Sequence, residues 1–346
     1  MDGNFKGLNI KVLREFGLSG VTNAADVRRE KTGFVCTSGG RDVLIQKPRG
    51  DKSSLLFAHY IKEKLYENGF SGTDRFFVTE NGCPYFEYNG DIYTASMHLE
   101  GFGYKKPQFD DYTQVAKIAG ELGRMHKLTA VSGFFDGFSG NVPRRREYEA
   151  FTAADGFDKQ AKIMQGYKKL VKRQSRLSDF DVSFLKYYNG YEELVSQCAE
   201  LTPHKIVGET AERADIFFSH NMIKEESVLI GDDVLYITYF DECSGDHFLF
   251  DLASIVKRYL RMACPPVKEG LAAVMDAYMS LFSLDIKHLR ALYAILLFPD
   301  RFVKSCVKYY SKKRSWTPAS FCISSEGIGG DDLGVGIIRG YFNGLV

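Results

Sequence analysis

Apolar positions change their spacing twice along this chain. Residues 4–16 place Leu8, Ile10, Val12, Leu13 and Phe16 at roughly helical intervals, and Gly17 and Gly20 follow. This predicts a short amphipathic opening helix. Strand-like pieces come next, GVTNAADVRRE, TGFVCTS and RDVLIQKP, with Gly39-Gly40 as a hairpin signal. Residues 53–68 start with a Ser cap and carry Leu55, Leu56, Ala58, Ile61 and Leu65 at helical spacing, closed by Gly69. Two more strand regions, 75–90 and 91–101, hold Asn81-Gly82 and Asn89-Gly90, both good hairpin turns. From about residue 110 the period turns helical. The stretch 109–129 sets Val115, Ile118, Ala119, Leu122, Met125 and His126 on one side, and 156–177 and 180–200 read as two further helices. A short β-rich segment spans about 215–242, and helices resume from 250 to about 312. A β-rich half followed by a helical half with one β insert predicts an α+β protein of two lobes, an N-lobe over 1–98 and a C-lobe over 99–346.

Composition narrows this little. The 346 residues are 45% apolar and 26% charged, an ordinary globular mix able to bury a sizeable core. The formal charge of +1 supplies no global field toward nucleic acid or a membrane, and neither is expected as a partner. Local basic runs exist: Arg144, Arg145 and Arg146; Lys168, Lys169, Lys172, Arg173 and Arg176; Lys308, Lys312, Lys313 and Arg314. The plain reading is solvated helix faces and loops; several on one face would make a docking surface. Seven scattered cysteines with no CxxC pair exclude a disulfide framework or zinc site, and fit a reduced, cytoplasmic setting. The first residues are too polar for a secretory signal, and no stretch nears the about 20 apolar residues of a membrane helix.

Candidate chemistry sits in residues 215–253, DIFFSHNMIKEESVLIGDDVLYITYFDECSGDHFLFDLA. This segment resembles the active-site stretch of aminoglycoside phosphotransferases, choline kinases and CotS-like spore-coat proteins. Ser219-His220 stand for the Cys-His or Ser-His pair, Val228-Leu229 for the Ile-Leu pair, and Phe240-Asp241 for the last two letters of an Asp-Phe-Asp stretch. Asp246, His247, Asp251, Leu252 and Ala253 fill the trailing Asp-His and Asp-Leu-Ala motif. Three more stretches extend the resemblance: LGRMHKLTAVSGF (122–134), LLFAHYIKEKLYENGF (55–70) and FPDRFVKSCVKYYSKKRSW (298–316). The last is similar to a C-terminal signature of the CotS-like group. Together they span about residues 40–316. The resemblance implies a two-lobed protein-kinase-like fold.

The same frame exposes departures. The family's Asp two residues after the His, which accepts or orients the substrate proton, is Met222; its magnesium-binding Asn is Ser227; and the first Asp of Asp-Phe-Asp, which bridges magnesium to the phosphates, is Tyr239. Asn221 and Lys224 replace a Gly and a second His. Phosphoryl transfer is mostly positioning and charge neutralisation, and magnesium wants hard oxygen ligands. A phenol and one hydroxyl do not replace a carboxylate and an amide. Losing a positioned base alone costs about 10²–10⁴-fold. A displaced magnesium site at Asp241 is conceivable; the plainer reading has Asp241 capping the next turn. On the resemblance, Asp251 orders the loop backbone, and His220 is read as holding that loop through hydrogen bonds. The ATP-anchoring Lys falls on Gln46 or Lys47. Spacing to Leu55-Leu56-Phe57 favours Gln46, while a one-residue deletion in the following turn would place Lys47 there, with Glu63 as its helix partner. No GxGxxG loop is present.

These observations lead to the expectation of a non-catalytic kinase-like protein, a structural or scaffold component of the spore coat or its assembly. Its partners would be other coat proteins and it would need no cofactor. The alternatives are a nucleotide or small-molecule binder in the interlobe cleft, with Ile45, Met97, Leu99, Leu229 and Ile237 as apolar lining, or a divergent phosphotransferase whose metal site is rebuilt at Asp241. The segment around Trp316 and the Gly-rich stretch after 320 are candidate contacts with the C-lobe or another chain.

Overall fold

The structure, a computed structural model, describes residues 4–5, 7–31, 33–99, 103–144, 156–202, 217–232, 234–262, 268–311 and 332–346. Arg145, Arg146, Lys312, Lys313, Arg314 and Trp316 lie outside the described residues, as do Cys264 and Cys322.

Two-residue strands β1 (Asn4–Phe5) and β2 (Leu8–Asn9) pair before α1 (Ile10–Glu15), which Asn9 caps by accepting the Lys11 N–H at 2.8 Å. The N-lobe sheet then runs antiparallel through β3 (Val27–Arg29), β4 (Phe34–Ser38), β5 (Arg41–Gln46) and β8 (Asp91–Met97). Gly39 and Gly40 turn β4 into β5 with φ of 58° and 77°, and Asn89 and Gly90 turn β7 (Phe86–Tyr88) into β8 with φ of 51° and 82°. Only left-handed residues match the strand twist at such two-residue turns. The Asn81-Gly82 pair makes no hairpin. β6 (Phe76–Phe77) and β7 both take β8 as partner, at Ser96–Ala95 and at Tyr93–Asp91, so the residues between them loop out.

Helix α2 (Lys52–Glu67) starts one residue before the Ser pair. Its cap is Asp51, whose carboxylate accepts the Ser54 N–H at 2.9 Å. Its inward face is Leu55, Phe57, Ala58, Ile61, Lys62 and Leu65; Leu56 is exposed. By sequence α2 belongs to the N-lobe, but its apolar face lies in the larger core with the C-lobe helices. A second, smaller core of Leu8, Val12, Leu13, Val27, Cys36, Val43 and Ile45 fills the space between α1 and the sheet. α2 is therefore a fixed wall of the cleft.

The C-lobe is helical. α3 (Tyr112–Thr129), α4 (Gly156–Lys172) and α5 (Asp179–Leu201) precede the β9 (Val228–Ile230) and β10 (Leu235–Ile237) hairpin. After it come α6 (Leu249–Met262), α7 (Lys268–Met279), α8 (Ile286–Leu297), α9 (Asp300–Ser311) and α10 (Asp332–Phe342). α4 stops at Lys172 because Arg173 and Gln174 donate back to Leu170 and Val171 in tight turns. α3 and α7 approach closely at Gly123, where a Cβ would stand 2.8 Å from the Tyr278 carbonyl oxygen. Residues 332–342 of the tail pack on α7 and α8, with Phe342 stacked on Tyr293 at 4.8 Å. The described cysteines are all free, and no described helix is long and apolar enough to cross a membrane.

Candidate functional site

Residues 217–227 form a loop between the lobes, held from behind. Ser219 and Ser244 exchange backbone hydrogen bonds at 3.0 and 2.9 Å. Asp251, in the first turn of α6, accepts the N–H of His220 at 2.5 Å and of Asn221 at 2.7 Å, and faces His126 Nε2 at 3.2 Å. His126 Nδ1 meets Tyr278 Oη at 2.8 Å, so α3, α6, α7 and the loop share one buried polar chain. Burial works to raise the Asp251 carboxyl, but the bonds from His126 and His220 hold it below its usual range. Asn221 takes φ 65°, a left-handed state that Asn tolerates, and its side-chain amide donates to Ser244 Oγ at 2.7 Å and the Glu242 carbonyl at 3.0 Å.

His220 is fully buried. Met222 N–H donates to its Nδ1 at 3.2 Å, which leaves Nε2 as the protonated nitrogen, donating to the Thr238 carbonyl at 3.0 Å. Burial pushes its pKa down to about 4, so the ring is neutral. Asp246 accepts from Ser244 Oγ at 2.6 Å, and burial drives the neighbouring His247 down to about 3.

The front of the loop is differently built. The half-buried Met222 contributes its carbonyl as acceptor for Ser227 Oγ. That hydroxyl also reaches the Lys224 carbonyl at 3.1 Å and accepts the Lys224 N–H at 3.0 Å, so Ser227 closes its own turn. Tyr239 stands at φ 62°, ψ 56°, a left-handed conformation that costs a bulky residue about 1–2 kcal/mol. Asp241, buried in the following 3-10 turn (Phe240–Glu242), accepts the Arg49 N–H at 2.9 Å. Gly50 makes this approach open to the chain, because a Cβ there would sit 2.3 Å from the Asp241 carbonyl oxygen. Asp241 thus clamps the turn after β5 onto the C-lobe.

At the end of β5, Gln46 is buried and paired in register with Thr94. Lys47 follows directly after the strand and is exposed. It meets Asp91 at 2.7 Å, and Glu63 bonds Arg75 Nε at 2.9 Å. The Lys47–Glu63 alternative is not formed. The buried cation lies elsewhere: Lys62 of α2 is wholly enclosed, with Nζ 2.9 Å from Asp74 Oδ1, 2.7 Å from the Asp74 carbonyl and 3.8 Å from the centre of the Phe76 ring. Sequence reading missed this pair. Its signal was present: Lys62 follows Leu55 and Ala58 at helical spacing and precedes Leu65, on the buried stripe.

Between the lobes lies a cavity of about 30 Å³. Met97, Leu99, Leu229 and Tyr239 line it; Ile45 and Ile237 do not, being sealed in the two cores. Its charged lining is Glu30, Asp74 and Glu226, with His98 and without Lys or Arg. Glu30 begins the tight turn between β3 and β4, closed by its N–H on the Gly33 carbonyl at 2.9 Å. It reaches across to His98 Nε2 at 3.4 Å, and Arg28 and Asp42, 2.7 Å apart, complete that cluster. A Cβ on Gly33 would stand 2.2 Å from the Ile45 carbonyl, so this turn lies flat over the end of β5.

No protein-family profile and no curated protein matches the chain. Solved structures share its architecture. An aminoglycoside phosphotransferase from Alicyclobacillus acidocaldarius subsp. acidocaldarius DSM 446 superposes with a TM-score of 0.74 at 16% identity, over 97% of this chain and 94% of that one. A spectinomycin phosphotransferase, solved with ADP and spectinomycin, gives 0.56 at 13% identity, covering 91% of each chain. A choline/ethanolamine kinase family protein from Mesorhizobium loti gives 0.50 at 11% identity, over 95% and 97%. The fold class is therefore the two-lobed kinase-like α+β fold, with an antiparallel sheet in one lobe and helices in the other. Likeness at this identity speaks to fold, and function has to be argued from the site.

The resemblance implies a nucleotide with magnesium for active relatives, and here the groups at those positions already have partners within the protein. A small-molecule site needs about 300–1,000 Å³. Of the cavity's three acidic lining residues, Asp74 is paired with Lys62 and Glu30 with Arg28 and His98. The Ser227 hydroxyl is engaged in its own turn, and Asp241 holds the Arg49 amide. Among the described residues no group of three or more His, Cys, Asp or Glu is arranged to hold a metal.

Proposed function

We propose that this protein is a non-catalytic kinase-like scaffold of the spore-coat kind. One observation carries the reading: the groups at the positions of metal ligand and clamp are bound into the protein's own framework. Ser227 closes the loop turn and Asp241 holds the turn after β5. Met222, at the position of the base, has a thioether that takes no proton. The coat assignment is supported by the sequence resemblance at 298–316, of which residues 300–311 form α9.

Thermal unfolding with ATP, ADP or no nucleotide, each with and without magnesium, tests the non-catalytic part. A ligand at 100 times its Kd adds about 2.7 kcal/mol. No shift in any condition is expected. A magnesium-dependent shift would instead favour the rebuilt phosphotransferase, and a metal-independent one a binding module. A fluorescent fusion in a sporulating host tests the coat part: it should gather at the developing spore, and uniform cytoplasmic signal would remove that reading.

A further inference from the structure

We infer that a cavity outside the cleft binds a small organic anion carrying two or more negative charges. It is walled by residues 103–108, the first turns of α3 and the tip of the β9–β10 hairpin, and holds about 840 Å³. That lies within the about 300–1,000 Å³ that small-molecule sites occupy. Leu229 lines the interlobe cavity and Ile230 lines this one, because neighbours on a strand point to opposite faces. The two cavities share no lining residue.

The walls are tied together within the chain. Lys105 and Ile230 exchange backbone hydrogen bonds at 2.9 and 2.8 Å, which adds the connecting segment to the free edge of β9. The Tyr104 ring packs edge-on against Tyr236 at 5.1 Å and leaves no room for a side chain at Gly231, where a Cβ would stand 2.5 Å from it. At α3, Asp111 accepts the Thr113 N–H at 2.9 Å and the Gln114 amide at 3.0 Å, and the Gln114 side-chain oxygen accepts the Gln108 N–H at 3.0 Å. Walls that already stand need little ordering when a ligand enters.

The lining sets the ligand's charge. Lys105, Lys106 and Lys117 are exposed on it, and Lys105 and Lys117 make no ion pair among the described residues. Of its two carboxylates, Asp111 is engaged in the helix cap and Asp232 sits at the hairpin tip. The excess is therefore positive, whereas the interlobe cavity has no Lys or Arg on its lining. A concave surface with an excess of one charge concentrates the opposite ion. Inorganic phosphate would fill little of the volume. The exposed Gln108 amide, also on the lining, offers a donor and an acceptor to ligand hydroxyls. A carbon skeleton bearing several phosphate or carboxylate groups suits both the space and the lysines.

These residues lie apart from those that carry the scaffold reading. Isothermal titration calorimetry of the full chain in about 0.15 M salt tests the site with fructose 1,6-bisphosphate and with citrate. Saturable binding of at least one is expected, with a Kd below about 1 mM, and which one binds separates phosphate esters from carboxylates. Lys105→Ala with Lys117→Ala should weaken it about tenfold or more, and so should Gln108→Trp, which fills the cavity from an exposed position; both should keep Tm. Lys172→Ala with Lys287→Ala removes equal charge from exposed positions off the lining and should leave binding unchanged. The inference fails if neither probe binds, if the Lys172, Lys287 variant loses as much as the Lys105, Lys117 variant, or if Gln108→Trp binds unchanged. Inorganic phosphate binding as tightly as the probes would also overturn it, leaving only surface charge. ATP is itself a polyanion, and Gln108→Trp tells the two sites apart. A nucleotide-induced thermal shift that survives this change arises in the cleft and counts against the scaffold reading; one that it abolishes arises here.

Discussion

The back and the front of the 217–227 loop obey different rules. Behind it, Asp251 gathers two loop amides and His126, and His126 passes on to Tyr278; each group is buried and partnered. In front, on the function proposed above, Met222, Ser227 and Tyr239 stand where chemistry would need a base and two metal ligands, and the Ser227 hydroxyl is spent inside its own turn. Holding a loop in shape and using it are separate requirements. Buried polar groups must stay satisfied whether or not the surface still acts, because leaving one unpaired costs about 1–3 kcal/mol.

The comparison can be broken hardest at Asp251. Asp251→Ala leaves two amides and an imidazole without their acceptor, and should cost on the order of 5 kcal/mol in urea unfolding. A loss similar to that of a surface change would mean the loop is not held from behind. Lys62→Met strands the Asp74 carboxylate inside the cleft wall, an expected loss of about 3–5 kcal/mol. Adding Asp74→Leu should recover most of it; a double variant as unstable as the single would deny that the pair acts as a unit. The pH dependence is next. His220 is neutral when folded, with its pKa lowered from 6.5 to about 4. The unfolded chain therefore binds the extra proton first, and stability is full above about 6.5 and falls as pH drops toward about 4. The shift corresponds to about 3 kcal/mol. His247 adds to the same fall, and Asp251, whose folded pKa is lowered, extends it below the ordinary carboxyl range. His220→Gln should flatten the pH slope of Tm. At the cleft, Glu30→Ala removes a pair between a partly exposed carboxylate and the buried His98 and should cost about 1 kcal/mol or less. Lys47→Ala, on an exposed pair with Asp91, should leave Tm unchanged; a clear loss would show that Lys47 does reach inward.

Much of the scaffold was legible because it rests on local periods and turn chemistry. Gly39-Gly40 and Asn89-Gly90 make the hairpins their residues demand, and helix-period apolar runs fold as helices. Asn81-Gly82 has the same signal and makes no hairpin, because its flanking strands both found β8. The α2 cap moved to Asp51 for a similarly local reason: its carboxylate is placed for the Ser54 amide. The positions of Met222, Ser227 and Tyr239 could be named from the loop frame. What each touches could not, since Ser227 binding its own turn depends on how residues 222–227 close.

By itself, the sequence determined which residues stand at the loop and which groups are absent from it, because side-chain chemistry does not depend on folding. It also determined the order of strands and helices, since periods of two and 3.6 residues are properties of the chain. Tertiary structure alone decided that Lys62 and Asp74, twelve residues apart, are buried together, and that Arg49 meets Asp241 across 192 positions. It also brought Glu30 over the cleft to His98 and laid two basic helices against each other. Those are matters of which faces meet when α2, the sheet and the C-lobe helices pack, and burial, which sets the strength of every charge involved, exists only once they have.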